Sequence, residues 1–492
     1  MSGTLPLQAK SLAITQQGNE PELKGHEMRL NRILAVAILT LAVCSAALKA
    51  QTVTLTDFGG TWSTTSGAQI TAHGGQILLV GGTYYWIGEA DTSGGGFAGI
   101  NCYSSTNLTS WTFVGDVLPP QSSGDLESSD LVERPKVLYN ASTGKYVMWM
   151  HIWNGDAVGY ATSSSVCGTY SYQGSSQPLG NESFDIGSFQ DTDGTAYLLS
   201  ANYDNGLIVY KMSSDYLSPA SIVDGVSTWG DREAPAMFKA NGYYFLICSH
   251  ETGWSSNDDQ YSYATSIGGP WSTLADFANA GTNTYNSQST YVLPVTGSSG
   301  TVYMYMGDRW NSSDVTDSTY VWQPLSISGT SLSMSFYAGW NLNITAGTWS
   351  PNYVAPTTGS NLPLISQNSG LCLSAVNNTE GTQLEQVTCN STTLQEWDVT
   401  TEGSGYYLTN ANTGMVADDS GNSKTAGGAV IDWDKNGGSN QQWAYIPNGQ
   451  GYYNLVNVYS GLCLDVLSAS TSSGALIDQY TCNGGANQAW KQ

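Results

Sequence analysis

The feature that most constrains the fold is a strand signature that occurs five times. The copies begin at Gly82, Gly144, Gly194, Gly242 and Gly300, and each continues into aromatic and aliphatic residues. They lie 62, 50, 48 and 58 residues apart. Units of this length with several short strands are typical of a β-propeller, whereas a β-sandwich has no reason to repeat one strand. The repeat therefore predicts an all-β fold, with a five-bladed propeller over residues 51–350.

A different repeat occupies the C-terminal region. Its three copies read Gln-x-Trp and end at Trp397, Trp443 and Trp490, which are 46 and 47 residues apart. They resemble the ricin B-like β-trefoil, carbohydrate-binding module family 13, over residues 362–492. We expect the Gln and Trp side chains of these copies to build the core. Residues 351–361, rich in Pro, Ser and Thr, form the linker between the two domains.

Charge excludes one class of partner. The chain has 15 basic and 39 acidic residues and a net charge of -24, which would repel a phosphate backbone. Nucleic acid is therefore not an expected partner. Charged residues make up only 11% of the chain. A polar surface with few charges suits neutral, hydroxyl-rich ligands, although β structure is the commoner reason for such a composition.

The N-terminal 50 residues have the order of a secretory signal. Arg29 and Arg32 precede an apolar run from Ile33 to Val43, and small residues follow it. The run is shorter than the roughly 20 residues of a transmembrane helix. We expect residues 1–50 to be an extension and signal peptide, and the mature protein to be extracellular, not membrane-bound. Seven sequons predict a glycoprotein: Asn107, Asn140, Asn181, Asn311, Asn343, Asn377 and Asn390.

Cysteine spacing predicts disulfides in both domains. Two pairs in the trefoil region are separated by 17 and 19 residues at equivalent places of the outer units, which predicts the bridges Cys372–Cys389 and Cys463–Cys482. We expect a third bridge between Cys102 and Cys167, which leaves Cys248 as a buried thiol.

Polar residues occur where the propeller strands should be apolar. Nine to twelve residues before four of the repeat glycines the chain carries Glu133, Asp185, Glu233 and Gln288. The repeat strands themselves end at Glu89, His151, Asn202, His250 and Asp308. Because the innermost strands of a propeller line its channel, we expect both sets to converge on one axial pocket.

Two acidic motifs indicate general acid chemistry. They are Glu133-Arg-Pro-Lys136 and Asp231-Arg-Glu233-Ala-Pro, and each places a carboxyl on an apolar strand beside an Arg and a Pro. A buried carboxyl there should have a raised pKa, as protonation of a glycosidic oxygen requires. A salt bridge with Arg134 or Arg232 is the alternative interpretation.

These motifs resemble glycoside hydrolase family 43. The resemblance rests on Asp185 in Ser-Phe-Asp-Ile-Gly and on Glu233 in Arg-Glu-Ala-Pro. It implies that Glu233 is the general acid and that Asp185 tunes its pKa and position. The family's general base, an aspartate in the first blade, is missing here, because that window reads Ala72-His73-Gly74.

The exo-β-1,3-galactanase branch of the family resembles the chain more closely, and it too lacks this aspartate. The resemblance implies inversion, in which Gln288 holds the attacking water. The amide of Gln288 and the acid are then expected to lie roughly 6.5 to 9.5 Å apart. The sequence shows no metal-binding cluster, and we expect no cofactor. The galactose contacts that the resemblance implies are Glu89, Glu133, Asp185, Asn205 and Thr252. Three tryptophans near the pocket are candidates for stacking on sugar or for core packing: Trp153, Trp254 and Trp310.

The trefoil copies differ in their binding residues. The family's sugar-binding Asp, aromatic ring and Asn correspond to Asp418, Trp433 and Asn440 in the second copy and to Asp465, Tyr480 and Asn487 in the third. The first copy has Ser374, Val387 and Leu394 instead. We therefore expect sugar binding by the second and third copies.

The leading hypothesis is a secreted, monomeric exo-β-1,3-galactanase that releases galactose from the β-1,3-galactan backbone of arabinogalactan. A β-xylosidase or α-L-arabinofuranosidase is an alternative within the family, but the missing aspartate and the presence of Gln288 argue against it. A galactan-binding lectin without activity is the other alternative, and the pair Glu233 and Asp185 argues against that.

Overall fold

The computed structural model of the protein describes residues 51–56, 61–204, 206–226, 229–278, 283–337, 339–352, 356–402, 405–447, 451–482 and 485–492. The predicted signal segment 1–50 and the predicted substrate contact Asn205 lie outside these residues. Nearly all regular structure in the described ranges is β, which confirms the all-β prediction. Among the described residues, no helix has the length and apolar character needed to cross a membrane.

The first strand, β1 (Thr52–Thr56), is followed along the chain by five antiparallel sheets of four strands each. The sheets are β2–β5 (His73–Val80, Thr83–Asp91, Phe97–Ser105, Thr112–Leu118), β6–β9 (Val132–Asn140, Lys145–Ile152, Ala157–Ser163, Ser171–Ser176), β10–β13 (Ile186–Gln190, Ala196–Asn202, Gly206–Met212, Pro219–Val226), β14–β17 (Arg232–Ala240, Tyr243–His250, Gln260–Ala264, Ala275–Asp276) and β18–β21 (Gln288–Thr296, Thr301–Arg309, Thr319–Ser328, Ser331–Met334). Strands pair in sequence order within each sheet, and the glycine-aromatic signature forms the second strand of each.

A sixth sheet was not predicted. The strand β1 pairs with β22 (Gly339–Asn343), which pairs with β23 (Thr348–Pro351). Its Trp340 shares a buried cluster with Trp86 of the first four-stranded sheet and Trp322 of the last. The propeller arrangement therefore has six sheets where the sequence predicted five blades. The repeat gave no sign of the sixth sheet, because strands from two distant parts of the chain build it.

Alternation along each second strand explains why these strands are apolar throughout. In β7, Met148 lies in the cluster shared with the first sheet, whereas Trp149 lies in the cluster shared with the third. Successive side chains of a strand point to opposite faces, so a sheet packed on both faces needs apolar residues at every position.

The first strands of the four-stranded sheets form the inner wall. Strands β2, β6, β10, β14 and β18 contact one another in turn, and β18 contacts β2. They therefore enclose an axial channel, and the residues at their N-terminal ends meet at one mouth of it.

The C-terminal region is one sheet of thirteen short strands, closed by the pairing of β29 with β32. The strands are β24 (Gly359–Leu362), β25 (Ile365–Ser366), β26 (Cys372–Ser374), β27 (Glu385–Val387), β28 (Trp397–Glu402), β29 (Gly405–Asn410), β30 (Val416–Asp419), β31 (Gly428–Trp433), β32 (Trp443–Pro447), β33 (Tyr453–Asn457), β34 (Cys463–Val466), β35 (Ala475–Tyr480) and β36 (Ala489–Lys491). The indoles of Trp397, Trp443 and Trp490 are fully buried, and each donates to a backbone carbonyl 2.9 to 3.1 Å away. The predicted core role of the Gln-x-Trp copies is confirmed.

Short helical turns complete the described structure. One is a four-residue turn, Asn283–Asn286, before β18. The others are 3-10 turns: Pro178–Gly180, Val315–Asp317, Thr393–Gln395, Ser420–Asn422, Ser439–Gln441, Leu467–Ala469 and Ala486–Gln488.

Three disulfides join the predicted pairs. They are Cys102–Cys167, Cys372–Cys389 and Cys463–Cys482. Cys248 is a buried free thiol on β15. A cross-link reduces the conformational freedom of the unfolded chain, so each bridge stabilises its domain.

Candidate active site

Most of the polar residues predicted to converge line one pocket at a mouth of the channel, but the strand-end residues Asn202, His250 and Asp308 are not in its lining. A pocket of about 520 Å³ opens there. Its lining comprises Glu89, Leu131, Glu133, Arg134, His151, Trp153, Phe184, Asp185, Tyr203, Glu233, Glu251, Gly253, Trp254, Gln288 and Trp310. Five carboxyl groups therefore surround one cavity, and aromatic rings form its walls.

A backbone bulge sets the direction of two of these carboxyls. Glu133 and Glu233 are each followed by a residue with φ of 55°, Arg134 and Ala234, and the strand register shifts at both places. Gly74 has the same φ at the equivalent point of the first sheet. The bulge turns a backbone N–H toward a carboxylate of the adjacent sheet. The pairs are Arg134 with Glu89, Ala234 with Asp185 (3.1 Å) and Gly74 with Asp308 (3.1 Å).

Arg134 connects three sheets beneath the pocket. Its Nε lies 2.8 Å from Asp185 Oδ1, its Nη1 donates to the Ser289 carbonyl at 3.0 Å, and its Nη2 donates to Gln288 Oε1. Burial disfavours its charge, but nearby carboxylates, Asp185 foremost, outweigh burial and raise its pKa. The alternative of a Glu133–Arg134 salt bridge is therefore replaced by a pair with Asp185. A fixed cation at this point allows several acids to share one small cavity.

Glu233 has the properties of a general acid. Its side chain is 8% exposed, and Gln288 Nε2 donates to its Oε1 at 2.7 Å. Burial, reinforced by the negative charge of Asp185, raises the pKa of Glu233 to about 8. The carboxyl therefore carries a proton at neutral pH, and a proton donor must carry one.

The distance between Gln288 and Glu233 differs from the expected one. Gln288 Nε2 contacts Glu233 directly, so the two groups are not separated by the roughly 6.5 to 9.5 Å expected of an inverting pair. Its Oε1 accepts from Trp310 Nε1 at 2.9 Å and from Arg134. The amide and the carboxyl stand on adjacent inner strands, β18 and β14, where donor and acceptor satisfy each other. For Gln288 to hold a water across a sugar from Glu233, its side chain must rotate away.

The segment before Gln288 has an unusual backbone. Asn283, Thr284, Tyr285 and Asn286 all have φ between 50° and 59°, which is a left-handed turn built without glycine. Such a conformation costs roughly 1–2 kcal/mol per residue. It is held by the Thr284 hydroxyl, which accepts from the backbone N–H of Asp259 at 2.6 Å, and by the Tyr285 hydroxyl, which donates to a backbone carbonyl at 3.0 Å. Strain of this kind concentrates at functional sites.

Glu133 lies in a different environment from Glu233. Trp153 Nε1 donates to its Oε2 at 2.7 Å, and His151 Nδ1 lies 3.1 Å from the same oxygen. Burial acts to raise the pKa of Glu133, but these hydrogen bonds outweigh burial and lower it. Glu133, His151 and Asp185 also have potential ligand atoms within 4.8 Å of one another, an arrangement that could hold a cation. Because its pKa is lowered, Glu133 is ionised and can accept hydrogen bonds.

Of the remaining predicted substrate contacts, Glu89 lies in the pocket and Thr252 does not. Glu89 lines the pocket, and burial, together with the charges of Asp91 and Glu133, raises its pKa well above the ordinary value. Thr252 lies on the exposed rim, where its hydroxyl donates to the Ser255 carbonyl and accepts from Asn257 Nδ2 at 2.7 Å. The structure therefore places the Thr252 hydroxyl in a loop turn and not in the pocket lining.

Aromatic residues form the outer wall of the pocket. Trp153 and Trp254 are 41% and 46% exposed, so they are available for stacking, and Trp310 joins them in the lining. Sequence reasoning missed Phe184 and Tyr203, whose rings stack with centroids 3.8 Å apart. It also missed Glu251. Tyr203 and Glu251 each directly follow a polar strand end that was identified, and this position was the available signal.

The other mouth of the channel has different chemistry. It opens into a cavity of about 750 Å³. Asp191 is the one carboxyl in its described lining, and it is paired with Lys239 at 2.8 Å. The groups suited to acid and base catalysis therefore lie at the first mouth, although its cavity is smaller.

In the second and third trefoil copies, the predicted sugar-binding residues lie close to one another. Asp465 Oδ2 accepts from Asn487 Nδ2 at 2.7 Å, and Tyr480 on the paired strand is 46% exposed. Asp418 Oδ2 accepts from Gln441 Nε2 at 2.8 Å, and Asn440 Nδ2 both donates to the Asp419 carbonyl at 3.2 Å and interacts with the Asp418 carboxyl. Trp433, on the strand paired with that of Asp418, is 38% exposed. Ser374 of the first copy donates to the backbone carbonyl of Ala375 at 2.8 Å.

An axial pocket with a protonated carboxyl beside an ionised one, followed by a β-trefoil, defines a carbohydrate-active enzyme. The model of the glycosyl hydrolases family 43 matches residues 70–310. The ricin-type β-trefoil lectin domain-like model matches residues 345–434, 394–480 and 439–492. The chain belongs to glycoside hydrolase family 43 and carries a ricin-type trefoil domain.

Solved structures agree with this assignment. An exo-β-1,3-galactanase from Clostridium thermocellum is 37% identical, with 89% of this chain and 99% of that chain covered and a TM-score of 0.60. An exo-β-1,3-galactanase variant from Phanerochaete chrysosporium, crystallised with β-1,3-galactotriose, is 28% identical over 87% and 99%, with a TM-score of 0.60. A family 43 β-1,3-galactosidase with galactodeoxynojirimycin is 31% identical over 58% and 99%, with a TM-score of 0.53. No curated protein matches the chain.

Proposed function

We propose that the chain is a secreted, monomeric exo-β-1,3-galactanase that removes galactose from the β-1,3-galactan backbone of arabinogalactan with inversion at the anomeric carbon. The observation that carries the proposal is the buried carboxyl of Glu233, with its pKa of about 8, in the axial pocket of a chain that is similar over most of its length to chains described as exo-β-1,3-galactanases. No cofactor is required for this chemistry.

In this proposal Glu233 donates its proton to the glycosidic oxygen as the bond breaks. Asp185 accepts the backbone N–H of Ala234, the residue after Glu233, so it holds the acid in place while its charge keeps the acid protonated. Gln288 rotates away from Glu233, and its carbonyl oxygen accepts a hydrogen bond from a water on the opposite face of the sugar. The water oxygen bonds to the anomeric carbon as the glycosidic bond breaks, and its surplus proton passes through this hydrogen bond to solvent. An amide is a weak base, but an oxocarbenium-like transition state needs little nucleophilic push.

Glu89 and Glu133 supply acceptors for the hydroxyl groups of the terminal galactose. Both line the pocket, and Glu133 is the ionised one. Asn205 and Thr252 remain proposed contacts from family resemblance alone.

Secretion is proposed from the N-terminal signal pattern, and three disulfides support it, since such bridges persist in oxidising compartments. N-terminal sequencing of protein recovered from culture medium would test the cleavage site near residue 50. A mature chain that still contains residues 1–40 would contradict it.

The trefoil is proposed to bind galactan through its second and third copies. Exposed Trp433 and Tyr480 provide apolar faces, and Asp418 and Asp465 provide acceptors. Binding would raise the local concentration of chain ends at the propeller.

The test is incubation of secreted protein with β-1,3-galactan, β-1,4-galactan and arabinoxylan, with NMR of the anomer released first. We expect the inverted anomer of galactose from the β-1,3 polymer alone. Release of pentose from arabinoxylan would instead identify a xylosidase or arabinofuranosidase. Binding to galactan without any release would identify a lectin.

A further inference from the structure

We propose that Glu251 is a specificity-determining residue that binds a hydroxyl group of the leaving sugar, the galactose on the far side of the bond that Glu233 protonates. This inference rests on the proposed function and adds a contact on the leaving-group side of the same site. It names an acceptor that the family motifs do not include.

Glu251 lies next to the proposed acid in the pocket wall. It directly follows β15 and lines the pocket together with Glu233 and Trp254. Its backbone N–H donates to the Asp231 carbonyl at 3.3 Å, which fixes the start of the loop. The next residue, Thr252, directs its backbone N–H toward Glu233. Glu251 therefore stands at the acid's side of the pocket.

One carboxylate oxygen of Glu251 has no hydrogen-bond donor among the described residues. This atom, Oε1, is inaccessible to solvent. Leaving a buried carboxylate oxygen unpaired is costly. The Glu251 side chain as a whole is partly exposed in the pocket wall, so rotation of the carboxyl brings this oxygen to the pocket, where a ligand hydroxyl can donate to it. Nearby charges agree with this interpretation: burial and then Asp231 and Asp185 raise the pKa of Glu251 to about 7, and Arg232 offsets them in part.

Glu89 and the loop that begins at Glu251 lie at different depths in the pocket. Glu89 is 2% exposed at the channel, whereas the three residues that follow Glu251 are all exposed. An exo-acting enzyme places the terminal sugar deepest, so a group near the rim and beside the acid faces the next sugar. Trp254 in the same loop is 46% exposed and offers an aromatic face. A carboxylate beside an aromatic ring is the pair of groups that sugar sites use.

The test measures binding of galactose and of β-1,3-galactobiose by calorimetry in the Glu233→Gln background, which prevents hydrolysis. Loss of a hydrogen bond to a charged group corresponds to about 10- to 100-fold in affinity. We expect Glu251→Ala to weaken galactobiose by that factor and to change galactose by less than about threefold. Glu182→Gln, an exposed carboxyl outside the pocket lining, is the matched control and should change neither.

Equal weakening of both sugars, or of neither, would overturn the inference. If Glu251→Ala does not fold, as judged by thermal unfolding, Glu251→Gln keeps the side-chain size and is expected to show the same selective loss to a smaller extent. The proposed function fails separately, when the wild-type protein releases no galactose from β-1,3-galactan. In that case the two binding affinities still decide the role of Glu251.

Discussion

The proposed catalysis depends on the proton of Glu233. Burial and the neighbouring Asp185 disfavour its ionised form, and the pKa of about 8 follows. Glu133 in the same pocket is ionised, because His151 and Trp153 stabilise its charge. Two glutamates therefore have different protonation states at one pH, and this difference assigns their roles.

Substitution of Glu233 tests the acid directly. We expect Glu233→Gln to lower kcat/KM by about 10²- to 10⁴-fold, the range for loss of a general acid. The amide keeps the size of the side chain, so galactobiose should still bind when measured by calorimetry. Glu182→Gln is the control and should keep wild-type kcat/KM. Retention of activity by Glu233→Gln would remove Glu233 from the role of acid.

The pH profile gives a second test at this scale. Because the protonated form of Glu233 is active, kcat/KM should be steady below pH about 8 and fall as the acid loses its proton above it. Hydrolysis rates measured on β-1,3-galactobiose from pH 5 to 10 would show this decline. A decline centred near pH 5 would mean that another group controls the rate.

At the scale of the strand, bulges orient the acids. Ala234 holds φ of 55°, a conformation that a β-branched side chain adopts only with strain. Ala234→Val should therefore destabilise the protein by about 1–3 kcal/mol and reduce kcat by displacing Glu233. Ala234→Gly is the matched control, since glycine accepts this φ, and should keep near-wild-type kcat. Urea unfolding and initial rates measure both effects, and equal kcat in the two variants would contradict the orienting role.

Sequence reasoning succeeded where a pattern repeats and failed where one does not. Spacing predicted the signature strand of each four-stranded sheet, and the polar residues on the inner strands predicted the pocket. The left-handed residues Arg134, Ala234 and Thr284 gave no signal, because tertiary contacts impose a φ that their own preferences oppose. The direct contact of Gln288 with Glu233 depends on where two strands stand side by side, and no local pattern records that distance.

At the scale of the whole molecule, the trefoil should affect insoluble substrate alone. We expect the double variant Asp418→Ala and Asp465→Ala to lose retention on insoluble β-1,3-galactan about 10-fold or more, because two linked sites act together. Hydrolysis of soluble galactobiose should stay unchanged. Ser374→Ala, at the equivalent place of the first copy, is the control and should bind like wild type in a pull-down assay. Full retention by the double variant would place galactan binding elsewhere.

The three-stranded sheet has a consequence for how the chain is made. Thr54 on β1 donates to the side chain of Asn341 on β22, 287 residues later. During synthesis the N-terminal strand emerges first, yet its partner emerges only after all five four-stranded sheets. Until then the cluster containing Trp86 and Trp340 stays incomplete, and its exposed apolar surface favours aggregation. The first strand of the described residues is therefore among the last to become ordered.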